Sequence, residues 1–190
     1  MEINTKSHLR KQYKKFRSKF SKKEIDLLSE DIAKKLLENF ELSNKRIHVF
    51  ISIEHLLEVN TQLLIAKLLR INSEIGTSLY IENTIETSHV KINKSTKFFL
   101  GDMKIPNPIS SDILDIKTFD YIIIPLLAYD QNGVRLGYGK GIYDQILMNC
   151  KKNCIKIGIS LFKPEKIIPT ESHDIPLDFC QTPQVLYSFN

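Results

Sequence analysis

Residues 119–150 read FDYIIIPLLAYDQNGVRLGYGKGIYDQILMNC, and their pattern decides the fold. The apolar run Tyr121-Ile122-Ile123-Ile124 is too short to span a membrane and too continuous for a half-exposed strand. Bounded by Pro125, it reads as a parallel strand buried on both faces. A polar turn follows, Asp130-Gln131-Asn132-Gly133, and then Gly137, Gly139 and Gly141 at alternate positions. From about Ile142 the spacing turns helical, with Ile142, Ile146 and Leu147 on one face and Lys151 and Lys152 near the end. Strand, glycine loop with Arg135 and Lys140, and helix together build an anion site. Glycines admit backbone N–H groups to a phosphate, and the helix N-terminus adds roughly half a positive charge.

The loop is not a P-loop, because Gly141 rather than Ser or Thr follows Lys140. Nor is it the dinucleotide fingerprint, whose third glycine would fall one position later. Glycine spacing alone is equally compatible with a flexible βα connection bearing two solvated cations. Asp144 beside such a loop makes sense mainly if a metal ion sits between it and a phosphate.

Outward from this stretch, 190 residues with 42% hydrophobic content suit one domain, 1–190, with a sizeable core. No apolar stretch approaches the roughly 20 residues of a membrane span, and the N-terminus lacks a signal peptide's apolar segment. Cys150, Cys154 and Cys180 form neither a disulfide framework nor a convincing zinc set. Reduced thiols in a cytoplasmic protein are expected. The net charge of +5 favours anionic partners without naming one. Much of it lies in residues 6–23, where Leu9, Tyr13, Phe16 and Phe20 recur at helical spacing. This reads as a basic helix docked by its apolar stripe, with most of its cations in solvent. Nucleic-acid binding would want exposed aromatics among those cations, whereas these lie on the stripe that the fold would bury.

Ser21-Lys22-Lys23-Glu24 is a capping box opening a second helix, with Ile25, Leu28, Ile32 and Leu36 as its buried stripe. Residues 46–53 alternate as a first strand, with His48 expected to be a satisfied edge histidine. Asn60 or Thr61 caps a third helix. Residues 77–81, 90–92, 155–161 and 184–186 read as further strands, and 103–108 as an extended segment whose prolines bar it from a sheet centre. The adjacent His173 and Asp174 do not make a catalytic dyad, since neighbours rarely face each other and no serine nucleophile is marked. Strands alternating with helices imply an α/β protein with a mainly parallel sheet flanked by helices.

RLGYGKGIYD, with PLLAYDQNG before it, resembles the signature of the 5-formyltetrahydrofolate cyclo-ligase (methenyltetrahydrofolate synthetase) family. Leu126, Tyr129 and Ile142 depart from the family's usual Gly, Phe and Tyr, and Ile142 loses a ring and a hydroxyl. KSHLR matches the family's Lys-x-x-x-Arg, and Glu58-Val59-Asn60-Thr61 its Glu-apolar-acid-Thr motif. The resemblance implies a fold similar to the sugar-isomerase and CoA-transferase folds. It also implies ATP-dependent closure of 5-formyltetrahydrofolate, polyglutamylated or not, to 5,10-methenyltetrahydrofolate. A monomer without nucleic-acid or membrane partners is expected.

By the same resemblance ATP is held by Lys6, Ser7, His8, Leu9 and Arg10 and by Arg135, Leu136, Gly137, Tyr138, Gly139, Lys140, Gly141, Ile142 and Tyr143. Lys140, Arg135 and Arg10 are the catalytic cations. Arg10, Ile51, Glu58 and residues 138–142 take the folate, with Glu58 on the pterin ring and Glu54 the alternative if the alignment slips. Asp144 and Asp174 take Mg²⁺, with Asp178 in reserve. A different ATP-using enzyme of the same fold, or a basic nucleic-acid-binding module, remains the competing reading.

Overall fold

A computed structural model of the protein describes residues 5–80, 87–101, 104–172 and 174–189. Its centre is β6 (Tyr121–Pro125), flanked in parallel by β1 (Arg46–Val49) and β9 (Ile155–Ile159). Ile122, Ile123 and Ile124 are all fully buried, as a continuous apolar run requires. Their side chains alternate between two cores. Ile123 packs among residues of α2 (Lys22–Asn39) and α3 (Thr61–Leu68), while Ile122 and Ile124 join Ile146 and Leu147 of α4 (Ile142–Asn149). Burial of each isoleucine is worth about 1.5–3 kcal/mol, so this strand is the main anchor of both layers.

β2 (Glu74–Tyr80) lies parallel to β1, and β10 (Phe179–Gln181) parallel to β9. Antiparallel strands β3 (Thr87–Ile92) and β11 (Leu186–Ser188) close the two edges, giving the order β11-β10-β9-β6-β1-β2-β3. The chain leaves β1 for β2 on one side and later returns to β6 on the other. That reversal of direction opens a crevice at the carboxyl ends of β1 and β6, the usual place for a ligand in such a sheet.

Caps set the helices. Thr5 accepts from His8 N–H at the start of α1 (Lys6–Arg17), and Asn60 accepts from Gln62 N–H for α3. Ser21 and Glu24 close the expected capping box of α2. On α1, Leu9 and Tyr13 are buried against Leu127, Ala128, Leu136 and Ile168. No described helix is long and apolar enough to cross a membrane.

Several expected boundaries move. The first strand stops at Val49, because Phe50 and the residues after it turn into the crevice. Strand 155–161 ends at Ile159, and the last strand begins at Leu186. Ile81 and His173 lie outside the described residues. β10 is not among the strands expected from the sequence; it forms because pairing with β9 overrides local composition. His48 is in a central strand rather than at an edge; it is fully buried, with Nε2 3.1 Å from Ser78 Oγ. Burial, with His89 nearby, pushes its pKa down to about 3, so it is neutral. Two hairpins complete the chain: β4 (Lys97–Leu100) with the proline-bearing β5 (Pro106–Ile109), and β7 (Ala128–Tyr129) with β8 (Arg135–Leu136).

Candidate active site

A cleft of about 370 Å³ occupies the crevice, with Phe50 and Ile51 beyond β1 and Pro125 of β6 on its floor. The β7–β8 hairpin builds one wall. Asp130, fully buried, accepts through Oδ1 from the N–H groups of Asn132 and Val134 and through Oδ2 from that of Ile168, each at 2.9 Å. Gly133 completes the turn at φ 79°, where a Cβ would meet Leu177 O at 2.8 Å. This clamp aims Arg135 inward. Its buried guanidinium reaches Asp144 in the first turn of α4 and the carbonyl of Ile175. Burial lowers the Arg135 pKa, and the carboxylates of Asp144 and Asp174 oppose that shift.

Gly137, Gly139, Lys140 and Gly141 form the lip of the cleft. Gly139 has φ 91°, and a Cβ there would lie 3.1 Å from Arg10 Cζ. Arg10 Nε donates to Gly137 O at 3.0 Å, so α1 is laid directly over the loop. Gly141, at φ 70°, is the N-cap of α4 and gives it no side-chain cap. Nothing lies within 4 Å of a Cβ built at Gly137 or Gly141, so both face open space. The first N–H groups of α4 are thus left for an anion. Lys140 is exposed and has no protein partner among the described residues. Lys6 Nζ meets Asp174 Oδ2 at 2.7 Å and Glu171 Oε1 at 3.4 Å.

The opposite end is built on Glu58. Leu57 is left-handed (φ 50°, ψ 44°) after the turn Glu54–Leu56, a conformation costing a side-chain-bearing residue roughly 1–2 kcal/mol. Glu58 is buried there, accepting from Ile53 N–H at 2.7 Å and from the Tyr138 hydroxyl at 2.6 Å. Burial raises the carboxyl pKa; Tyr138, Ile53 N–H, Arg17 and His55 pull against it. Thr61 holds the exit from β1, donating to Phe50 O at 2.7 Å and accepting from Ser52 N–H.

The cleft therefore has one cationic end, one end with a buried carboxylate, and an apolar floor. A family model described as the 5-formyltetrahydrofolate cyclo-ligase family matches residues 2–183. The chain belongs to that family. A probable 5-formyltetrahydrofolate cyclo-ligase of Caenorhabditis elegans is 28% identical over 189 residues, covering 91% of this chain and 90% of its own. The 5-formyltetrahydrofolate cyclo-ligase of Escherichia coli K12 is 29% identical over 147 residues, 74% and 79% of the two chains. The solved 5,10-methenyltetrahydrofolate synthetase of Aquifex aeolicus superposes with a TM-score of 0.83 at 27% identity, over 97% of this chain and 93% of that one.

Within this cyclo-ligase cleft most of the expected residues converge. Lys6, Arg10, Ile51, Glu58, Asp144, Asp174 and the run from Arg135 to Tyr143 all line it. Ser7 and His8 do not; they point to solvent, and Leu9 is core beneath α1. Of the paired alternatives, Glu54 is exposed and bridges to Lys22. Asp178 is held by Lys156, whose N–H is 2.7 Å and Nζ 2.8 Å away, outside the cleft. Sequence reading missed Lys14, which lines the cleft with Nζ 5.8 Å from the Tyr138 ring centroid, along with His55, Leu56 and Tyr80. It did not set Arg17 apart from the solvated cations of residues 6–23, yet Arg17 is only 5% exposed. The signal was available: Lys6, Arg10 and Arg17 follow the i, i+4, i+11 spacing of one helix face.

Proposed function

We propose that the protein closes 5-formyltetrahydrofolate to 5,10-methenyltetrahydrofolate with MgATP as co-substrate, releasing ADP and phosphate. The observation that carries this reading is convergence. Lys6 and Arg10, Glu58, the glycine loop and Asp174 come from four separate parts of the chain onto one cleft, and belong there by the family's logic.

The formamide of the substrate is a weak electrophile with a poor leaving group. Transfer of the γ-phosphoryl group breaks its bond to the ADP oxygen and forms one to the formyl oxygen. N10 of the folate then attacks the formyl carbon, the C–O bond to phosphate breaks, and the N10 proton is lost. No protein nucleophile is needed; the chain must position two substrates and neutralise charge. Lys6, Arg10, Arg135, Lys140 and the uncapped N-terminus of α4 would hold phosphates. The carboxylate of Glu58 keeps one lone-pair direction free on each oxygen, which suits the pterin N–H and amino donors.

Asp144 and Asp174 fit Mg²⁺, which commonly bridges phosphates through one or two carboxylates rather than an all-protein cage. Among the described residues no cluster of three metal-ligating side chains exists, in keeping with such a shared site. When bound, Mg²⁺ supplies neutralisation of phosphate charge. Arg135 and Lys6 now neutralise those two carboxylates, so the ion pairs would exchange partners as nucleotide enters. The three free thiols support a reducing cytoplasm, and we take the whole chain to act there as a monomer. Nucleic acid is not the favoured partner, because Tyr13 is buried and Phe16 and Phe20 pack on Phe162. Mixing protein, MgATP and 5-formyltetrahydrofolate should produce the methenyl chromophore only when all three are present. No chromophore, or one independent of ATP, would refute the proposal.

A further inference from the structure

Arg17 is the exception on α1. Lys11, Lys14 and Lys15 are exposed, yet Arg17 is inside and lies behind the cleft rather than on its lining. Its Nη2 donates to Leu126 O at 2.7 Å, just past the end of β6, and its Nη1 to the Tyr138 hydroxyl at 2.6 Å. Arginine only donates, so the single Tyr138 hydroxyl proton must point elsewhere. It goes to Glu58 Oε1, 2.6 Å away. The direction of the relay is thereby fixed: guanidinium to phenol to carboxylate.

We propose that Arg17 is a positioning residue for the folate end of the cleft, holding Glu58 through Tyr138 so that its free lone pairs face the pterin. The inference rests on the function proposed above and deepens it. A purely structural role explains the arrangement poorly. A buried cation is costly to desolvate, and Arg17 Nε has no acceptor among the described residues. A directly paired carboxylate would stabilise more than one reached through a phenol. What the relay does achieve is to tie three elements together: α1, the end of β6 and the glycine loop. It also places a positive charge behind Glu58 without occupying its cleft-facing side.

Charge matters here because a protonated carboxyl cannot accept from two pterin donors as a carboxylate does. The groups facing Glu58 are Arg17 from α1, His55 from the preceding turn, Tyr80 from β2, Tyr138 from the loop and Tyr143 from α4. Burial drives the Glu58 pKa up, and of these groups only Arg17 carries a permanent positive charge against it.

The test uses the full chain with Arg17→Met, Arg17→Lys and Tyr138→Phe, and two readouts. In the first, ¹³C NMR follows the Glu58 carboxyl through a pH titration, identified by its loss in Glu58→Gln. In the second, KM for 5-formyltetrahydrofolate and for ATP are measured between about pH 6 and pH 8. Arg17→Met should raise the Glu58 pKa by about 1 or more. It should raise KM for the folate about tenfold, the scale of one lost charged hydrogen bond. That rise should deepen as pH falls, while KM for ATP stays within about twofold. Arg17→Lys should recover the pKa and part of the KM. If Arg17→Met fails to fold, Tyr138→Phe removes only the hydroxyl that carries the same relay and should raise both the Glu58 pKa and KM for the folate. An unchanged Glu58 titration, or folate and ATP KM rising together, in an active parent overturns this inference alone. A parent that forms no methenyl product defeats the functional proposal and with it the folate role of Arg17.

Discussion

Lys140 and Glu58 sit at opposite ends of the cleft in opposite electrostatic situations. Lys140 is exposed between two glycines of positive φ, so nothing in the fold depends on it. Lys140→Ala should cut turnover by on the order of 10²-fold, the scale of one preorganised donor lost from a transition state. Its thermal midpoint should match the parent's; near-parental turnover would return Lys140 to the role of a solvated loop lysine. Glu58 is the reverse, a buried carboxyl whose raised pKa makes ionisation unfavourable in the fold. Below that raised value the folded chain holds a proton that the unfolded chain gives up, so folding gains as pH falls through it. Above it the charge works against stability. Glu58→Gln should therefore gain in thermal midpoint relative to the parent as pH rises from about 5 to about 8, while losing folate binding. A difference in midpoint that is flat with pH would mean that the Glu58 carboxylate is not held against its burial.

Among elements, α1 and the glycine loop make the site by lying on each other, and legibility differs between them. The loop, the helix after it and β6 were readable because each has a strong local cause: alternate glycines, helical spacing, an unbroken apolar run. The capping box of α2 was readable for the same reason, since Ser21 and Glu24 need only each other. β10 and the β7–β8 hairpin were not, because their pairing depends on partners that are distant or on a buried aspartate whose role local pattern does not reveal. The burial of Arg17 could be read only from its helical register with Lys6 and Arg10, among eight other cations of residues 6–23. The inward Lys6 of α1, which is 15% exposed, contrasts with Lys19 just past the end of that helix, which is in solvent over Phe16. Lys6→Ala should raise KM for ATP about tenfold, and Lys19→Ala should leave it unchanged. Equal effects would replace a located phosphate contact with a diffuse basic field.

At the scale of the molecule, the reversal of strand order between β2 and β6 opens one crevice, and sequence segments as distant as Lys6 and Asp174 close it. That long-range pairing also separates the two acidic candidates of the C-terminal loop, because Asp174 lines the cleft and Asp178 is tied to Lys156. Asp144→Asn and Asp174→Asn should each require several-fold more Mg²⁺ for half-maximal rate, whereas Asp178→Asn should titrate like the parent. A shift in Asp178→Asn alone would move the metal site out of this cleft. The central claim, that the cleft brings the γ-phosphoryl group onto the formyl oxygen, is tested most directly by the fate of that oxygen. With ¹⁸O in the formyl group of 5-formyltetrahydrofolate, a single round of turnover should deliver the label into the released inorganic phosphate, one atom for each methenyl product formed. Label appearing in water, with unlabelled phosphate, would contradict it.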